Sequence, residues 1–373
     1  MKRFLIRILA LAHKETIHIA RDVQVIYMAL GMPVVLLLLF GYAISFDLDR
    51  LPTCLIDQDR SPASRRLAQA VTASGAFAIT ARSTSSSEVE ASFRRNEFKV
   101  AVVIPAGFDR ALRRDQASDA QVLLDGSDGT TTGIAVGYLV GIAQSEAARV
   151  LGERASFTPQ VEARVRSRFN PGMESARYIV PGLIALILAT IAVLLTALTV
   201  AREWERGSME QLFSTPVGRL EVVLGKLLPY LVLGMVQVLL VVTLGTWLFD
   251  VPVEGSLWLL FGISALFLIC MLGQGLLISV LTRNQMVATM AGALSSMVPT
   301  ILLSGFLIPI ENMPWALRAL SALIPARYFV VVLRGILLKG NSAVDLWPQV
   351  LALTVFALAM VLLSTLRFRR RLD

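Results

Sequence analysis

The sequence predicts a polytopic α-helical membrane protein with six transmembrane helices per chain and a small α/β extracytoplasmic domain inserted between the first and second helices. Of its 373 residues, 55% are hydrophobic and only 17% are charged, whereas about 25% are charged in a typical soluble protein. Six apolar runs are each long enough to cross a bilayer, and one long polar region alternates strand-like and helix-like patterns. Together these observations argue against an ordinary soluble enzyme.

The six apolar runs lie at residues 24–46, 178–200, 224–249, 257–281, 286–308 and 346–366. The hydrocarbon core of a bilayer requires about 20 apolar residues in a helix, and every run meets that length. Within the runs, Lys226 at the start of the third is the only Asp, Glu, Lys or Arg. The first run is too long for the core of a signal peptide and follows a charged segment, so we expect it to be a transmembrane helix.

Lysine and arginine residues beside the runs predict the orientation, because cytoplasmic loops are enriched in them. If the six spans alternate, one side receives Lys2, Arg3, Arg7, Lys14, Arg21, Arg202, Arg206, Arg219, Arg283, Arg367, Arg369, Arg370 and Arg371. The connection at 250–256 carries Asp250 and Glu254 and no cation. We therefore expect both termini in the cytoplasm, and we read the net charge of +8 as an orientation signal and not as a nucleic-acid partner.

Residues 1–23 are predicted to form a cytoplasmic amphipathic helix in contact with membrane lipids at the interface. Phe4, Leu5, Ile8 and Leu11 recur at helical spacing, with cations around the rest of the surface. Such a helix serves either as an anchor for the first span or as a lever beside a partner subunit.

Residues 47–177 are predicted to form the α/β domain, with a closing linker. The segments LPTCLID, AFAITAR, KVAVVIP and AQVLLDG favour strands, and SPASRRLAQAVTAS, SSSEVEASFRRN and FDRALRRD between them favour helices. A long helix at about 130–155 follows. Strands that alternate with helices predict a layered α/β structure. Long extracytoplasmic domains are translocated whatever their charge, so the arginines here do not contradict the orientation.

No catalytic or metal site is predicted. His13 and His18 are the only histidines and both precede the first span, so a histidine-based triad or zinc site within 47–177 is excluded. Cys54 and Cys270 lie in regions of different character, which argues against a disulfide.

The Gly-Lys pair at 225–226 fails the pattern of a phosphate-binding loop. That loop needs two glycines separated by four residues, then Lys and Ser or Thr, so that backbone amides surround the phosphates. Here Gly218 and Gly225 are separated by six residues, and Leu227 follows the lysine. We therefore expect no nucleotide or other cofactor to be bound by this chain.

The cytoplasmic segment at about 201–222 is predicted instead to contain a short helix. Ser208 and Gln211 form a capping-box pattern, and Pro216 ends the helix because the residue before a proline avoids helical geometry. Thr215 would then cap a second helix that begins at Pro216 and continues into the third span.

The short helix would expose Met209, Leu212 and Phe213 on one flank. An apolar surface with charged edges suits a groove on another protein, and it also suits lipid headgroups. Both alternatives stay open at this point.

Near the middle of the spans, mildly polar side chains occur at Thr190, Thr196, Gln237 and Gln274. They are candidates for the lining of a pathway, although hydrogen bonds between helices are the more common use of such residues. No ionisable residue lies in mid-span, whereas transporters driven by protons or ions bury such groups there. The energy source is therefore expected outside this chain.

The connection at 309–345 is predicted to form one or two short re-entrant helices on the extracytoplasmic side. Three prolines interrupt it, and residues 328–338 are apolar except for Arg334 but too few to cross a bilayer. Trp315 and Tyr328 are expected at the level of the headgroups.

Two long stretches resemble the type-2 ABC exporter permeases: AREWERGSMEQLFSTPVGRLEVVLGKLLPY and LLSGFLIPIENMPWALRALSALIPARYFVVVLRGILLKG. With the first span and the large outside domain, the resemblance covers essentially the whole chain and favours the multidrug-type branch. It implies a location in the bacterial inner membrane and a pair of permease chains, identical or paralogous, that encloses a pathway. It also implies export of drugs or other hydrophobic or amphiphilic small molecules, with a periplasmic adaptor as a further partner.

The resemblance further implies a separate ABC ATPase that binds ATP and Mg²⁺. In this family the segment between the second and third spans is a coupling helix seated in the ATPase. Carried over to this sequence, the candidate contacts are Arg202, Glu203, Glu205, Arg206, Met209, Glu210, Leu212 and Phe213.

Two other functions are alternatives to transport: a scaffold or mechanotransmission protein, and an intramembrane enzyme. A scaffold or mechanotransmission protein would use the ATPase to transmit force to residues 47–177 without moving substrate. An intramembrane enzyme would need a nucleophile with a base nearby, and His13 and His18 are far from any such partner in the sequence.

Overall fold

The computed structural model describes residues 2–43, 51–83, 97–114, 118–125, 129–154, 175–209 and 215–368, with the single positions 89, 92, 93 and 95. The chain forms two compact units. The helical unit contains Met1–Ser45 and Ser167–Asp373, and the α/β unit contains Phe46–Arg166. The region inserted between the first two predicted spans therefore folds around a core of its own.

The helical unit begins with α1 (Lys2–Arg21), which ends where Asp22 caps α2 (Val23–Ile26). The Asp22 carboxylate accepts hydrogen bonds from the amides of Gln24 and Val25 at 3.0 and 3.3 Å. A π-helical turn (Tyr27–Gly31) and α3 (Met32–Ala43) follow. The turn ends two residues before Pro33. A proline cannot donate a backbone hydrogen bond and would clash with a carbonyl one turn earlier in a regular α-helix.

The α/β unit contains a four-stranded mixed sheet with the order β2-β1-β3-β4. Its strands are β1 (Leu51–Asp57), β2 (Phe77–Arg82), β3 (Val100–Ile104) and β4 (Gln121–Leu124), all within the predicted segments. β1 is parallel to both β2 and β3, whereas β4 is antiparallel to β3. Residues opposite each other include Leu55 and Arg82 in one pair of strands and Asp57 and Ile104 in the other.

Three helices accompany the sheet: α4 (Pro62–Ala73), α5 (Phe108–Arg113) and α6 (Gly129–Arg154). Alternate residues of β3 point to opposite faces, so Val100 and Val102 join one apolar cluster while Ala101 and Val103 join another. The first cluster includes residues of all three helices. The helix predicted at SSSEVEASFRRN lies largely outside the described residues. The observed elements confirm a layered α/β structure.

The helical unit continues with α7 (Ser175–Glu205), α8 (Arg219–Phe249), α9 (Leu257–Thr282) and α10 (Gln285–Leu303). After a 3-10 turn (Ile310–Asn312) come α11 (Trp315–Ser321), α12 (Pro325–Lys339) and α13 (Trp347–Arg367). α7 lies at the centre, packed against α3, α8, α9, α10 and α12.

Six helices in the described part of the chain are long and apolar enough to cross a membrane: Val23–Tyr42, Ala176–Glu205, Arg219–Phe249, Leu257–Thr282, Gln285–Leu303 and Trp347–Arg367. They coincide with the six predicted runs. α11 and α12 meet at 83°, which agrees with two short helices in the connection at 309–345.

α12 is held inside the helical unit by an aromatic stack and a half-buried cation. The Phe329 ring stacks on Phe267 of α9 with 4.0 Å between centroids. The Arg334 guanidinium lies over the Tyr178 ring and donates to the carbonyls of Tyr178, Gly305 and Phe306. This one side chain therefore joins α12 to the start of α7 and to the loop after α10.

Two boundaries differ from the prediction. The helix expected to begin at Pro216 with Thr215 as its cap begins at Arg219, because Gly218 is the N-cap and its amide donates to the Glu221 carboxylate at 2.7 Å. The fifth run was expected to be helical to residue 308, but α10 ends at Leu303. Gly305 follows with φ of +80°, a left-handed conformation that ends the helix.

Candidate functional site

The N-terminal helix packs directly on α8. Ile8, Ala12, Glu15 and Ile19 are the buried residues of α1 and recur at helical spacing on one side. Opposite them, Gly225 of α8 lets the backbones approach closely, since an added Cβ there would lie 2.7 Å from Leu11 Cβ. α1 is therefore docked onto the start of α8.

Four charged side chains form a compact ion cluster where α1, α7 and α8 meet. Lys226 Nζ donates to Glu15 Oε1 at 2.8 Å and also contacts Glu203 Oε2. Glu203 Oε1 lies 3.4 Å from Lys14 Nζ. The side chains of Lys226 and Glu15 are only 4% and 6% exposed. Because an unpaired charge is costly to bury, the two carboxylates from two helices account for the stable burial of Lys226.

A second ion pair fixes the junction between α1 and α2. Arg202 of α7 binds the Asp22 carboxylate at 2.6 Å and donates to Gln24 Oε1 at 3.2 Å. Burial alone would raise the pKa of Asp22, but the hydrogen bond and charge of Arg202 and two backbone amides outweigh it and lower that pKa below its ordinary value. Asp22 is thus held as a carboxylate that ties the first span to the end of α7.

A third pair reaches the other end of the connection between α7 and α8. Arg7 of α1 lies 3.4 Å from the Glu221 carboxylate, which also accepts the amide of Gly218. Charged contacts to α1 therefore exist on both sides of the segment at 206–218.

A cavity of about 520 Å³ opens beside the ion cluster. Its lining includes the polar side chains of Lys14, His18, Asp22, Arg202, Arg206 and Tyr230. Among the described residues, no group of three or more His, Cys, Asp or Glu is arranged to hold a metal ion.

The C-terminal end of α7 also contacts the start of α10 and the residue that follows α13. Glu205 Oε1 accepts the amide of Gln285 at 2.8 Å, at the start of α10. Trp204 packs 6.3 Å from the Phe368 ring after α13, and the Arg283 guanidinium lies 4.8 Å from the Trp204 ring centroid. The end of α7 is therefore a junction of α1, α8, α10 and the chain after α13.

Several residues that were predicted to contact the ATPase have partners within this chain. Arg202, Glu203 and Glu205 have the internal partners given above, whereas Arg206 is exposed. Met209 was expected to be exposed and is buried, with 1% of its surface accessible. It belongs to the main apolar cluster of the helical unit, which a helical pattern in sequence cannot reveal. Glu210, Leu212 and Phe213 lie outside the described residues.

The candidate pathway residues lie mainly at helix contacts. Thr196 Oγ1 of α7 donates to Leu272 O of α9 at 3.0 Å, and Gln274 Nε2 of α9 donates to Ser295 Oγ of α10 at 3.2 Å. Both bond between helices. Gln237 is buried, and within the described part of the chain neither its Nε2 nor Thr190 Oγ1 has a hydrogen-bond partner.

Sequence reasoning missed the role of three residues in this site: Glu15, Asp22 and Lys226. A signal was present for two of them. Glu15 interrupts an apolar face at the position expected for a core residue, and Lys226 is the only charge within the predicted spans. A buried acid and a buried cation in neighbouring elements are expected to form an ion pair.

Comparisons with known proteins cover nearly the whole chain. A family model described as ABC-2 family transporter protein matches residues 24–366. The chain is 39% identical over 369 residues to "Probable multidrug ABC transporter permease YbhS" of Escherichia coli (strain K12), with 98% of each chain covered. It is 30% identical over 365 residues to "Probable multidrug ABC transporter permease YbhR" of that strain, covering 98% of this chain and 99% of the relative. It is 27% identical over 329 residues to "Inner membrane transport permease YhhJ", also of that strain, covering 87% and 86%.

Proposed function

The chain belongs to the ABC-2 transporter family as a membrane permease subunit, and from this premise we propose that it forms, as a dimer, the pathway of an exporter driven by a separate ATPase. The second chain is an identical copy or a paralogue. ATP and Mg²⁺ are bound by the ATPase, and this chain binds no cofactor. The chain resides in the bacterial inner membrane with both termini in the cytoplasm.

The observation that carries the coupling proposal is the set of charged contacts around the connection between α7 and α8. Arg202 and Glu203 precede the segment at 206–218, Glu221 and Lys226 follow it, and all four are tied to α1 or Asp22. A displacement of this segment by a bound ATPase is therefore transmitted to α1 and the first span, as well as to α7 and α8.

We assign the contacts with the ATPase to Arg206 and to the residues that follow Met209. Arg206 is exposed, and Leu212 and Phe213 supply the apolar surface expected from the sequence, with Glu210 at its edge. Met209 acts from inside, as an apolar anchor for the start of the segment.

The proposed substrates are drugs or other hydrophobic or amphiphilic small molecules. Two relatives carry the word multidrug in their names, and the spans offer only mild polar groups such as Thr190 and Gln237. A periplasmic adaptor is proposed as a further partner on the strength of the same branch of the family.

Copurification tests the coupling assignment. The ATPase is first identified by purifying the tagged permease from its native membrane. We expect the double variant Leu212→Asp with Phe213→Asp to lose the ATPase, because two carboxylates would be buried in an apolar groove. The matched control, Leu212→Met with Phe213→Leu, keeps apolar side chains and should retain it. Normal copurification and normal stimulation of ATP turnover by the aspartate variant would show that the coupling surface lies elsewhere.

Vesicles that contain the complete complex separate transport from a scaffold role. ATP-dependent accumulation of a hydrophobic dye supports export. ATP turnover that responds to the permease, without accumulation of any amphiphile tried, would favour the transmission of force to the α/β unit.

A further inference from the structure

A second cavity lies wholly within the α/β unit, between α4 and the parallel strands β1 and β2. Its volume is about 760 Å³, within the range of about 300–1,000 Å³ that is usual for small-molecule sites. We call it the arginine groove, because Arg60, Arg65 and Arg82 line it. It opens toward the carboxyl ends of these two strands, where Asp57 and Arg82 lie.

The floor of the arginine groove is apolar. Leu55 of β1 and Ile79 of β2 contribute from the sheet, and Ala68 and Ala73 contribute from α4. The small alanine side chains leave the space between α4 and β2 unfilled. The floor of the groove is therefore an apolar surface on which the apolar tail of a ligand could pack.

The three arginines have no carboxylate partner in the described part of the chain. All three are exposed at the rim. Among the described residues, Asp57 is the only acidic one that lines the groove. Its oxygens accept hydrogen bonds from the amides of Asp59 and Arg60 and from Ser64 Oγ, at 3.1, 2.8 and 2.8 Å. Within the described residues, no ion pair therefore neutralises the positive charge of these arginines.

The loop that carries Arg60 is held in an unusual conformation. Arg60 has a φ of 52°, in the left-handed region that a residue with a side chain seldom adopts. The bond from its amide to Asp57 and the bond from Arg65 Nη1 to its carbonyl at 3.3 Å maintain this geometry. Such strain is kept when the surroundings fix it, and it occurs often at binding sites.

We propose that the arginine groove binds a small amphiphile with an anionic head, such as a phosphate, sulfate or carboxylate, and a short apolar tail. The guanidinium groups contact the head through charge-assisted hydrogen bonds, which arginine forms well with planar and tetrahedral oxyanions. The tail covers Leu55, Ile79 and Ala68. This site is independent of the coupling surface and of the proposed transport function.

Binding is measured on the full chain in nanodiscs of phosphatidylcholine, without ATPase. A polarity-sensitive fluorophore is attached at Thr72→Cys, an exposed position that lines the groove, while the two native cysteines are buried. We expect hexyl phosphate to give a saturable signal and inorganic phosphate to bind more weakly. Hexyltrimethylammonium, with the same tail and the opposite charge, should give none. An equal response to the cation would mean partition into an apolar surface and would overturn the proposal.

Charge-matched variants identify the site. Arg60→Gln with Arg65→Gln and Arg82→Gln should raise the dissociation constant for hexyl phosphate by about tenfold or more, since each tenfold step is only about 1.4 kcal/mol. The control removes three exposed arginines of the same unit that do not line the groove: Arg66→Gln, Arg110→Gln and Arg114→Gln. Equal weakening in both triple variants would show a general charge effect and refute the groove as the site.

The lipid composition of the nanodiscs distinguishes two sources of the anion, a lipid headgroup and a free amphiphile. If nanodiscs that contain phosphatidylglycerol give the signal without added hexyl phosphate, the site takes a lipid headgroup. If only the soluble ligand gives it, the site takes a free amphiphile. Loss of the signal in the groove variants is required in both cases, and its persistence would refute the proposal.

Discussion

At the scale of single residues, Gly275 determines how closely α7 and α9 approach. An added Cβ at this position would lie well inside van der Waals distance of Val193 O and Thr196 Oγ1. Val193 O belongs to the backbone, so it cannot move away by a rotation of a side chain. Helices within a membrane associate largely through packing of this kind. We therefore expect the small residue at this position to contribute more to stability than the nearby hydrogen bond from Thr196 to Leu272.

We therefore expect Gly275→Ala to lower the thermal midpoint of the purified protein substantially. The control is Gly262→Ala in the same helix, where an added Cβ meets nothing within 4 Å. Thr196→Val should have a smaller effect, since a hydrogen bond between transmembrane helices contributes about 0.6 kcal/mol on average. Equal midpoints for the two alanine variants would show that α7 and α9 separate without cost.

Individual side chains were the hardest feature to predict from the sequence. The pattern around Met209 predicts one apolar flank, but exposure depends on whether another part of the chain covers that flank, and Met209 is covered. Asp22 offered only a local signal for a helix cap, and its distant partner Arg202 could not be read from spacing. By contrast, Thr196 and Gln274 make the helix contacts that their residue types favour.

At the scale of elements, the ion cluster joins three helices, and the charges of Lys226 and Glu15 within it are nearly inaccessible to water. A buried cation between two carboxylates is stable only as a set, because its Coulomb energy offsets a large desolvation cost. Removal of one partner leaves buried charge without compensation. Replacement of the whole set by neutral groups of similar shape avoids that penalty.

This asymmetry gives a test of the cluster. Lys226→Met should destabilise the helical unit by about 3–5 kcal/mol, the usual cost of an orphaned buried charge. Adding Glu15→Gln and Glu203→Gln should recover most of that loss, which thermal unfolding in detergent would measure. Arg7→Gln is the control, and it should cost less than Lys226→Met, since Arg7 is 38% exposed and the Glu221 carboxylate keeps its hydrogen bond from the Gly218 amide. A triple variant no more stable than Lys226→Met would show that the cluster is not held by its charges.

Elements with strong local signals were predicted well. β1 has the bounds of the segment LPTCLID, and α4 begins at Pro62 because Ser61 caps it through the amide of Ser64. The start of α8 was predicted three residues too early, since the Glu221 carboxylate favours Gly218 as the cap over Thr215. The strand order β2-β1-β3-β4 could not be derived, because pairing depends on contacts between distant segments.

At the scale of the whole molecule, the bent pair α11–α12 decides how many times the chain crosses the membrane. Six helices qualify as spans, and a seventh crossing would arise if the pair acted as one. α12 has 15 residues, which at about 1.5 Å per residue give about 22 Å, less than the hydrocarbon thickness of about 30 Å. The 83° bend prevents α11 from extending it. Six crossings also place the cations before the first span and after the last on one side, as the positive-inside rule requires.

Cysteine labelling tests this topology, since the native Cys54 and Cys270 are buried and give a low background. We expect a membrane-impermeant maleimide to label Arg110→Cys and Glu254→Cys in intact spheroplasts, because the α/β unit and the connection between α8 and α9 would both face outward. Asp373→Cys should react only after permeabilisation, because an even number of crossings returns the chain to the cytoplasm. Labelling of Asp373→Cys in intact spheroplasts, with Glu254→Cys also labelled, would mean that α11 and α12 cross the bilayer together. The cations after α13 would then lie outside, on the side opposite to the cations before the first span and between the second and third spans.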